Sequence, residues 1–354
     1  MNETIDIKIN KVKESRIKSI DFNNIVFGTV YSDHMFVADY YDGKWQNFSI
    51  EPYAPLSLSP GNAVLHYGQS IFEGLKAYKA ADGSVQVFRP EANAERLNTS
   101  AERMCIPEVP QELFMTGLKE LLSIDKGWVP KSKGASLYIR PYVFAMDEYI
   151  GIRPSNTYKF IIFTCPVGAY YSEPVNVKIE THFTRATPGG TGFAKAAGNY
   201  AGSLYPAKLA QKEGYHQLIW TDALTHEYIE ESGTMNVMFI VDGKLITAQA
   251  GDTILNGITR NSVLTLAREW GIEVVEGPVA VKDIVKAAEE GRLEEAFGTG
   301  TAATIAQIQK IGYNGTDYEL PPVEQREFSN KVLEKLDAIK YGEEPDNHGW
   351  ILKI

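Results

Sequence analysis

Residues 191–203 read TGFAKAAGNYAGS, which places a lysine at position 195 among glycine, alanine and an Asn-Tyr pair. A solvent-facing lysine usually has polar neighbours, whereas the neighbours here are small, apolar or rigid. The stretch therefore suits a lysine held in a closed pocket. On these residues alone, a lysine in a glycine-rich surface loop is an equal alternative.

A candidate partner for Lys195 lies downstream, in the stretch EESGTMN at 230–236, just before the strand-like run VMFIV at 237–241. A confined lysine and a confined carboxylate, here Glu231, are what a pyridoxal phosphate enzyme needs. The lysine forms an imine with the cofactor, and the carboxylate keeps the pyridine nitrogen protonated.

The bulk composition is that of an ordinary globular protein, with 354 residues, 44% hydrophobic and 23% charged. At roughly 150 residues per domain, we expect two domains. The net charge of −10 disfavours nucleic acid and anionic membranes as partners. The longest apolar run, around 160–167, is too short to span a bilayer.

The cysteine count and the N-terminal residues bear on the compartment. Cys105 and Cys165 are the only cysteines in the sequence, so there is no disulfide framework. The N-terminal residues lack the apolar segment of a secretory signal. We therefore expect a protein of the reducing cytoplasm.

Strand and helix patterns alternate along the chain. Asp-Gly pairs at 42–43, 82–83 and 242–243 predict hairpins. Apolar spacing predicts helices over 91–104, 111–124, 200–213, 257–271, 282–291 and 323–342. The mixture predicts an α/β (α+β mixed) fold. We predict a smaller N-terminal domain over 1–168, an interdomain linker over 169–180 and a larger domain carrying the lysine over 181–354.

Two glycine-containing stretches are ambiguous. GTGTAA at 298–303 resembles a dinucleotide fingerprint, but the following residues read as strand, whereas the fingerprint opens a helix. Such a turn can instead hold a carboxylate or phosphate. Gly257, Ile258 and Thr259 precede a helix, so their N–H groups suit an anion or form a plain helix start.

Other candidate residues have more than one reading. Alternation places Tyr138, Arg140 and Tyr142 on one strand face, where the arginine is either a paired core charge or an anion reader. Phe72 is most simply a core residue. The six histidines show no ligand spacing, so no metal site is expected, and His66 is expected to be structural.

Taken together, nine stretches resemble the branched-chain amino acid aminotransferases of the fold-type IV pyridoxal phosphate class, in that family's order. The early FGTVYSDHM block and the length resemble its longer subgroup. The stretches are FGTVYSDHMF from 27, LHYGQSIFEGLKAY from 65, VFRPEANAERL from 87, LYIRPY from 137, CPVGAYY from 165, the Lys195 stretch, ESGTMN from 231, GITR from 257 and FGTGTAA from 297.

The resemblance implies a fold-type IV architecture of two domains and a role for each matching cofactor position. Lys195 would carry the imine and move a proton between the substrate Cα and the cofactor. Glu231 would pair with the pyridine nitrogen, and Tyr200 would bind ring oxygen O3′. The expected phosphate ligands are Arg96, the N–H groups of Ile258 and Thr259, and Thr301.

The resemblance also implies the substrates, which are branched-chain L-amino acids (leucine, isoleucine and valine) and 2-oxoglutarate. Ala302 would lie near the substrate carboxylate. Ile150 and Ile152 would reach in from the partner of a homodimer. The side-chain pocket would be lined by Phe27, Tyr67, Phe72, Tyr138, Arg140 and Tyr170.

Three alternatives stay open at this point. A D-amino acid aminotransferase or an aminodeoxychorismate lyase would share Lys195 and Glu231, although the Tyr-x-Arg block and the length favour the branched-chain interpretation. A nucleotide-binding protein built around the Gly298 loop is the third. The sequence departs from some family members in having Ala303 and Ala306 where they carry a redox-active Cys-x-x-Cys.

Overall fold

The computed structural model describes residues 5–22, 24–168 and 173–354. The chain forms two compact units, each assembled from segments that are distant in sequence. The first unit comprises Met1–Tyr170, Ala194–Gly198 and Ala338–Ile354. The second unit comprises Tyr171–Phe193 and Asn199–Asp337.

The helices and strands are numbered in chain order. The helices are α1 Ala63–Tyr67, α2 Pro90–Arg103, α3 Gln111–Asp125, α4 Ala197–Lys212, α5 Ile258–Glu269, α6 Val281–Glu289 and α7 Phe328–Lys340, with short 3-10 turns at Arg16–Ser19, Lys126–Trp128 and Val323–Gln325. The strands are β1 Lys8–Ile9, β2 His34–Tyr41, β3 Lys44–Pro52, β4 Ser70–Phe72, β5 Leu75–Lys79, β6 Val85–Phe88, β7 Ser136–Ala145, β8 Tyr158–Val167, β9 Val175–Ile179, β10 Gln217–Thr221, β11 Tyr228–Ser232, β12 Met235–Val241, β13 Lys244–Ala248, β14 Val274–Gly277, β15 Val279–Ala280, β16 Leu293–Gly300, β17 Thr304–Tyr313, β18 Thr316–Glu319 and β19 Ile351–Lys353.

The first unit is built on one sheet, in the strand order β1-β3-β2-β8-β7-β5-β6-β19, with β4 also paired to β7. The central strands β7 and β8 pair antiparallel over their whole length, from Ser136↔Val167 to Ala145↔Tyr158. Both are buried along most of their residues. Their place in the middle of the strand order makes them the central strands of the sheet.

Helix α3 covers the sheet through an aromatic cluster. Phe114 stacks on Phe160 with 6.0 Å between ring centroids, and Phe36 meets Phe160 edge-on at 5.8 Å. A Cβ at Gly117 would lie only 2.7 Å from the Phe36 ring, so glycine permits the close approach of the helix. Truncating such a buried ring to alanine typically costs about 3–5 kcal/mol.

The second unit contains a closed ring of strands. Strand β12 pairs with β16, β16 with β17, β17 with β9, β9 with β10, β10 with β11, and β11 returns to β12. Strand β9 lies parallel to both of its neighbours. A ring of six paired strands has no open edge within it, which is the defining property of a barrel. Apolar side chains of the ring, such as Val177, Ile219 and Phe239, belong to one buried cluster that also includes Ile284 of α6.

Two predicted hairpins have the turn geometry that their Asp-Gly pairs favour. Asp42 and Gly43 have φ of 52° and 76°, and Asp242 and Gly243 have φ of 49° and 71°. Positive φ at both central residues is the I′ turn that matches the twist of a hairpin. Helix α5 also starts after Gly257 as predicted and is followed by Gly271 at φ 72°.

The predicted helix over 323–342 is wrong at its start, because α7 begins only at Phe328. The Glu295 carboxylate accepts hydrogen bonds from the N–H groups of Phe328 and Ser329, both at 2.8 Å, and so caps the helix there. Just before it, the buried Arg326 side chain donates to the carbonyls of neighbouring strands. These long-range contacts fix the helix start.

The mixed α/β fold class is confirmed by these elements. The predicted domain limits stay a prediction, and the compact units divide the chain somewhat differently. They group Ala194–Gly198 and Ala338–Ile354 with the N-terminal residues. Part of the predicted linker, Val175–Ile179, is strand β9. In the described part of the chain, no helix is both long enough and apolar enough to cross a membrane.

Candidate active site

Lys195 lies in a short extended segment whose backbone is held on both sides. Its N–H donates to Ser100 Oγ at 2.9 Å, and its carbonyl accepts from the N–H of Phe72 at 3.1 Å. The next residue, Ala196, bridges Ile71 on β4. The two flanking alanines are each 2% exposed, so the lysine leaves a closely packed backbone.

The Lys195 side chain faces aromatic rings of the same unit. Its Nζ lies 4.8 Å from the centroid of the Phe72 ring, and the Arg140 guanidinium carbon lies 4.5 Å from that centroid. Arg140 Nη2 donates to the Tyr138 hydroxyl at 3.0 Å, and the Phe27 ring meets Tyr138 edge-on at 5.2 Å. The structure thus brings five predicted residues together.

Arg140 was expected to be either a paired charge in the core or a residue that binds an anion. Among residues 5–22, 24–168 and 173–354, no carboxylate lies within ion-pair distance of Arg140, and its buried Nε has no hydrogen-bond partner. Arg140 is half-buried, and an enclosed guanidinium N–H without a hydrogen-bond partner is costly unless an acceptor binds there. The anion-reading alternative is therefore favoured over the paired core charge.

Arg96 on α2 is fixed by a carboxylate that the sequence did not single out for this purpose. Arg96 Nε lies 2.8 Å from Glu73 Oε1, and Nη2 lies 2.7 Å from Oε2. Glu73 is fully buried and also accepts from Asn93 Nδ2 at 2.7 Å. A two-pronged ion pair of this kind fixes both the position and the plane of the guanidinium.

Ser100 links two of these groups through the backbone. Its hydroxyl accepts from the N–H of Lys195 and lies 3.1 Å from the Arg96 carbonyl one helical turn earlier. The serine is fully buried on α2. The same helix therefore carries Arg96 and anchors the Lys195 backbone.

In the second unit, Glu231 is buried at 3% exposure on β11. Its Oε1 accepts from the N–H of Leu255 at 2.6 Å, and its Oε2 lies 3.4 Å from Arg185 Nε. A carboxylate held by one backbone donor and one cation has a fixed direction and a compensated charge.

A short chain of contacts connects Glu231 to the start of α5. Asn236 Nδ2 donates to the Leu255 carbonyl at 2.9 Å. A Cβ at position 257 would overlap the Asn236 amide oxygen, so glycine is required for this close approach. Gly257 is the residue before Ile258 and Thr259, whose N–H groups open the helix. The two predicted phosphate-binding N–H groups are thus positioned by the same segment that fixes Glu231.

Thr301 and Ala302 lie in the turn that joins β16 to β17. The preceding strand pairs Thr299 with Asn236, which brings this turn next to the Glu231 hairpin. The buried Thr299 Oγ1 has no hydrogen-bond partner among the described residues. The residues after the turn form β17, so the strand predicted at 304–313 is confirmed and no helix follows the glycines.

The other predicted residues have the following places. Tyr67 ends α1 with 41% exposure, and Tyr200 lies on α4. Ile150 and Ile152 occupy an exposed loop, at 71% and 93% exposure. Tyr170 lies outside the described residues. His66, expected to be structural, has Nε2 2.8 Å from the Pro60 carbonyl.

Sequence reasoning missed Ser100, Arg185 and Asn236, and it noted Glu73 beside Phe72 without giving it a role. Each acts on a predicted residue through a contact between positions distant in sequence. Two of them had a visible signal: Glu73 directly follows Phe72, and Asn236 ends the ESGTMN stretch. Ser100 and Arg185 had none, since a serine on a helix and an arginine in a loop are ordinary.

Chemically, the groups suit a phosphorylated, electron-withdrawing aldehyde. Within the first unit, Lys195 offers an amine on a fixed backbone and Arg96 a fixed guanidinium. Within the second unit, Glu231 is a buried carboxylate and α5 begins after a glycine. Each group matches one part of pyridoxal phosphate: an amine the aldehyde, a guanidinium or helix N-terminus the phosphate, and a carboxylate the pyridine nitrogen. The residues present therefore fit this cofactor.

Comparison with known proteins agrees with this chemistry. A family profile described as amino-transferase class IV matches residues 70–311. Branched-chain-amino-acid aminotransferase 2 of Bacillus subtilis (strain 168) is 43% identical over 356 residues, which is 99% of this chain and 97% of that relative.

Solved structures give the same result for the fold. The branched-chain aminotransferase of Thermoproteus uzoniensis, crystallised with norvaline, has a TM-score of 0.74 at 26% identity and covers 90% of this chain and 99% of its own. The branched-chain amino acid aminotransferase from Escherichia coli has a TM-score of 0.71 at 25% identity, covering 90% of this chain and 98% of its own.

The chain therefore belongs to the class IV aminotransferases and, within them, to the branched-chain-amino-acid aminotransferases. The predicted family, the fold-type IV architecture and the prediction of an aminotransferase are confirmed. Membership of this family excludes the alternative of a nucleotide-binding protein. The D-specific and lyase alternatives are disfavoured by the near-complete coverage of a branched-chain relative.

Proposed function

We propose that the protein is a pyridoxal phosphate-dependent aminotransferase. It moves the amino group of leucine, isoleucine or valine to 2-oxoglutarate, giving a branched-chain 2-oxo acid and L-glutamate. The observation that carries this proposal is the Lys195 amine, 4.8 Å from the Phe72 ring on a backbone held from both sides. Family membership supports the same reaction.

Bound pyridoxal phosphate supplies an aldehyde that captures amines and a ring that takes up the electron pair left at the substrate Cα. Lys195 would hold the cofactor through its amine and would carry the proton that leaves the substrate Cα. Glu231 would hold the pyridine nitrogen in its protonated form. Tyr200 would hold the ring hydroxyl.

Anchoring of the cofactor and substrate needs cationic and N–H donors. Arg96, the N–H groups of Ile258 and Thr259, and the Thr301 hydroxyl would hold the phosphate. The N–H of Ala302 would bind the substrate carboxylate. Because Glu73 fixes the Arg96 guanidinium with two hydrogen bonds, little side-chain entropy is lost when the phosphate binds.

The two substrates pose opposite demands, since leucine has an apolar side chain and glutamate a charged one. Arg140 meets the γ-carboxylate, while the rings of Phe72 and Tyr138, with Phe27, Tyr67 and Tyr170, cover the aliphatic part. The buried Arg140 Nε without a hydrogen-bond partner supports this role.

The visible spectrum of the purified protein tests the proposal. We expect a yellow band that bleaches on adding L-leucine and returns with 2-oxoglutarate. Bleaching only with D-alanine would favour the D-specific alternative. The absence of a band after adding pyridoxal phosphate would refute the role of Lys195. Lys195→Ala should bind the cofactor and lose transamination by several powers of ten.

Replacing Arg140 tests dual-substrate recognition. Arg140→Leu should lower kcat/KM for 2-oxoglutarate by about 100-fold, in line with loss of a buried charge pair, and for leucine by less than about fivefold. Single-turnover measurements of each half-reaction separate the two effects. Equal losses for both substrates would make Arg140 a structural residue.

We also propose a homodimer working in the cytoplasm. The exposed apolar residues Ile150 and Ile152 support an interface in which they reach into the partner's substrate pocket. Sedimentation of the wild type should give the mass of two chains, and Ile152→Asp should weaken leucine binding. With Ala303 and Ala306 in place of cysteines, activity should survive mild peroxide treatment. Inactivation that a reductant reverses would contradict this.

A further inference from the structure

Arg185 is a buried arginine beside Glu231. It follows β9 in the second unit, and its side chain is 9% exposed. Its Nε lies 3.4 Å from Glu231 Oε2, within ion-pair distance but not aligned for a hydrogen bond. Its Nη2 donates to the carbonyl of Thr253 and, at 3.3 Å, to that of Gly192. One side chain thus contacts three separate segments.

The backbone around these contacts is closely packed. A Cβ at Gly192 would lie 2.5 Å from the Ala186 Cβ and 2.7 Å from the Thr253 Cα. The N–H of Phe193 donates to the Asp252 carbonyl at 3.1 Å. The carbonyls that hold the Arg185 guanidinium therefore cannot shift easily, so the cation has a fixed place beside Glu231.

The local charges explain why a cation is needed at this place. Glu231 and its neighbour Glu230 are both buried, at 3% and 7% exposure. Burial raises the pKa of Glu230, while the charge of Arg185 acts to lower it. Two adjacent buried carboxylates favour their neutral forms unless a cation offsets them. Among the contacts described for Glu231, Arg185 supplies that charge.

We propose that Arg185 is a positioning residue that holds the Glu231 carboxylate and balances its charge so that Glu231 can pair with the cofactor's ring nitrogen. This inference rests on the proposed function, because Glu231 has that task only in a pyridoxal phosphate enzyme. The competing explanation is that Arg185 only ties the loop at Gly192 to the loop at Thr253. Both explanations predict that an Arg185 variant is less stable. The test therefore needs a measurement that a loss of stability alone does not change.

The affinity of the apo-protein for two ligands provides that readout. The first ligand is pyridoxal phosphate, and the second is its analogue with carbon in place of the ring nitrogen. Only the first can pair with Glu231. Dissociation constants are measured by equilibrium dialysis for the wild type, Arg185→Met, Arg185→Lys, Glu231→Gln and the double variant Arg185→Met/Glu231→Gln.

We expect Arg185→Met to weaken pyridoxal phosphate binding about tenfold and analogue binding less than about threefold, since contacting residues in one network typically couple by such factors. In the Glu231→Gln background, Arg185→Met should change either affinity less than about threefold. Arg185→Lys should recover part of the loss, because it restores the charge without the planar guanidinium.

Arg326 offers a matched control in the same unit. It is also a buried arginine, at 3% exposure, and it donates to the carbonyls of Ala296 and Ile308. Arg326→Met should lower stability and leave the ratio of the two affinities unchanged. If Arg185→Met behaves in the same way, or weakens both ligands equally in both backgrounds, the inference is wrong.

The measured affinities distinguish failure of the proposed role of Glu231 from failure of the proposed role of Arg185. If the wild type does not prefer pyridoxal phosphate over the analogue, or Glu231→Gln leaves that preference intact, the role of Glu231 fails and takes the inference with it. If Glu231→Gln abolishes the preference but Arg185→Met does not reduce it, only the inference fails. If Arg185→Met does not fold, Arg185→Lys takes its place in the test. The inference then requires that Arg185→Lys weaken the binding of pyridoxal phosphate more than the binding of the analogue.

Discussion

Each unit buries an arginine against a glutamate, and the two pairs are built differently. In the first unit, both oxygens of Glu73 receive hydrogen bonds from Arg96, at 2.8 and 2.7 Å. In the second unit, Glu231 divides its oxygens between the Leu255 N–H at 2.6 Å and Arg185 at 3.4 Å. The first pair is joined by two parallel hydrogen bonds, whereas the second is joined by one longer contact and links three segments of chain.

The difference shows which member of each pair is the support. Glu73 is fully buried and fixes the guanidinium that we propose as a phosphate ligand. In the second pair the arginine is the support, since its Nη2 is held by backbone carbonyls. The proposed chemistry thus belongs to Arg96 in one pair and to Glu231 in the other. A buried ion pair alone does not reveal which of its two residues binds the ligand and which one holds the other in place.

Removing the supporting carboxylate of the first pair should have the largest effect on stability. Glu73→Gln leaves the Arg96 charge buried opposite a neutral amide, and breaking a buried pair typically costs about 3–5 kcal/mol. We expect a loss of that size in the free energy of unfolding of the apo-protein, measured by urea titration. A loss below about 1 kcal/mol would mean that the pair contributes little to holding the first unit together.

The partly exposed pair of Asp147 and Arg153 should make an intermediate contribution to the free energy of unfolding. The Asp147 carboxylate lies 2.9 Å from Arg153 Nη1 and accepts from the N–H groups of Asn156 and Thr157, both at 3.0 Å. Burial acts to raise the pKa of Asp147, but these hydrogen bonds and the Thr157 hydroxyl outweigh it and lower the pKa from 3.8 to about 2.

A carboxyl whose pKa is lower in the folded state stabilises the fold above its unfolded pKa and loses that contribution as the pH falls toward the folded pKa. Asp147→Asn should therefore cost about 1–2 kcal/mol at pH 7, allowing for solvent screening. The stability difference between variant and wild type should narrow between pH 4 and pH 2. A difference that stays constant over this range would contradict the assignment.

Replacing Glu231, the carboxylate of the second pair, should lower activity much more than stability. In Glu231→Gln, the amide oxygen still accepts from the Leu255 N–H, so we expect about 1 kcal/mol of lost stability. Turnover should fall by more than about 100-fold, the size typical of losing one electrostatic stabiliser. Unfolding and steady-state assays on the same preparation check both. A stability loss as large as that of Glu73→Gln would erase the distinction between the pairs.

Among the pairs considered, an exposed ion pair should contribute least to the free energy of unfolding. Lys133 Nζ lies 2.8 Å from Glu343 Oε1, with the two side chains 67% and 43% exposed. Solvent screening leaves such pairs a contribution of about 0.5 kcal/mol. Lys133→Gln should therefore shift the urea midpoint only slightly. A loss comparable with that of Glu73→Gln would mean that distance alone, rather than burial, sets the strength of these pairs.

The sequence predicted the parts of the fold that depend on local chemistry. Asp42-Gly43 and Asp242-Gly243 adopt the positive φ that their residue types permit, and α5 lies between the glycines that were expected to bound it. The start of α7 was missed because Glu295, far away in sequence, caps it. The ring of strands in the second unit was also not predicted, since it depends on the pairing of β9 with β17.

The same distinction holds in the candidate site. Lys195, Glu231 and Arg140 were predicted because each stands in a distinctive local stretch, and their roles stay predictions. Their supports were not, because Ser100 and Arg185 gain their importance only from contacts across the fold. The residues that we propose to touch ligands stand in recognisable sequence motifs, whereas the residues that position them are identified only by their contacts in the fold.

The pairing of β19 with β6 has a consequence for how the chain is made. In the first sheet, the outer side of strand Val85–Phe88 pairs with the last strand, Ile351–Lys353. On the ribosome, these residues emerge only after the entire second unit. Until then, the nascent chain carries β6 as an open strand edge, the kind of surface that pairs with other chains. Premature termination anywhere beyond β6 and before residue 351 should therefore yield aggregating fragments rather than a folded first unit.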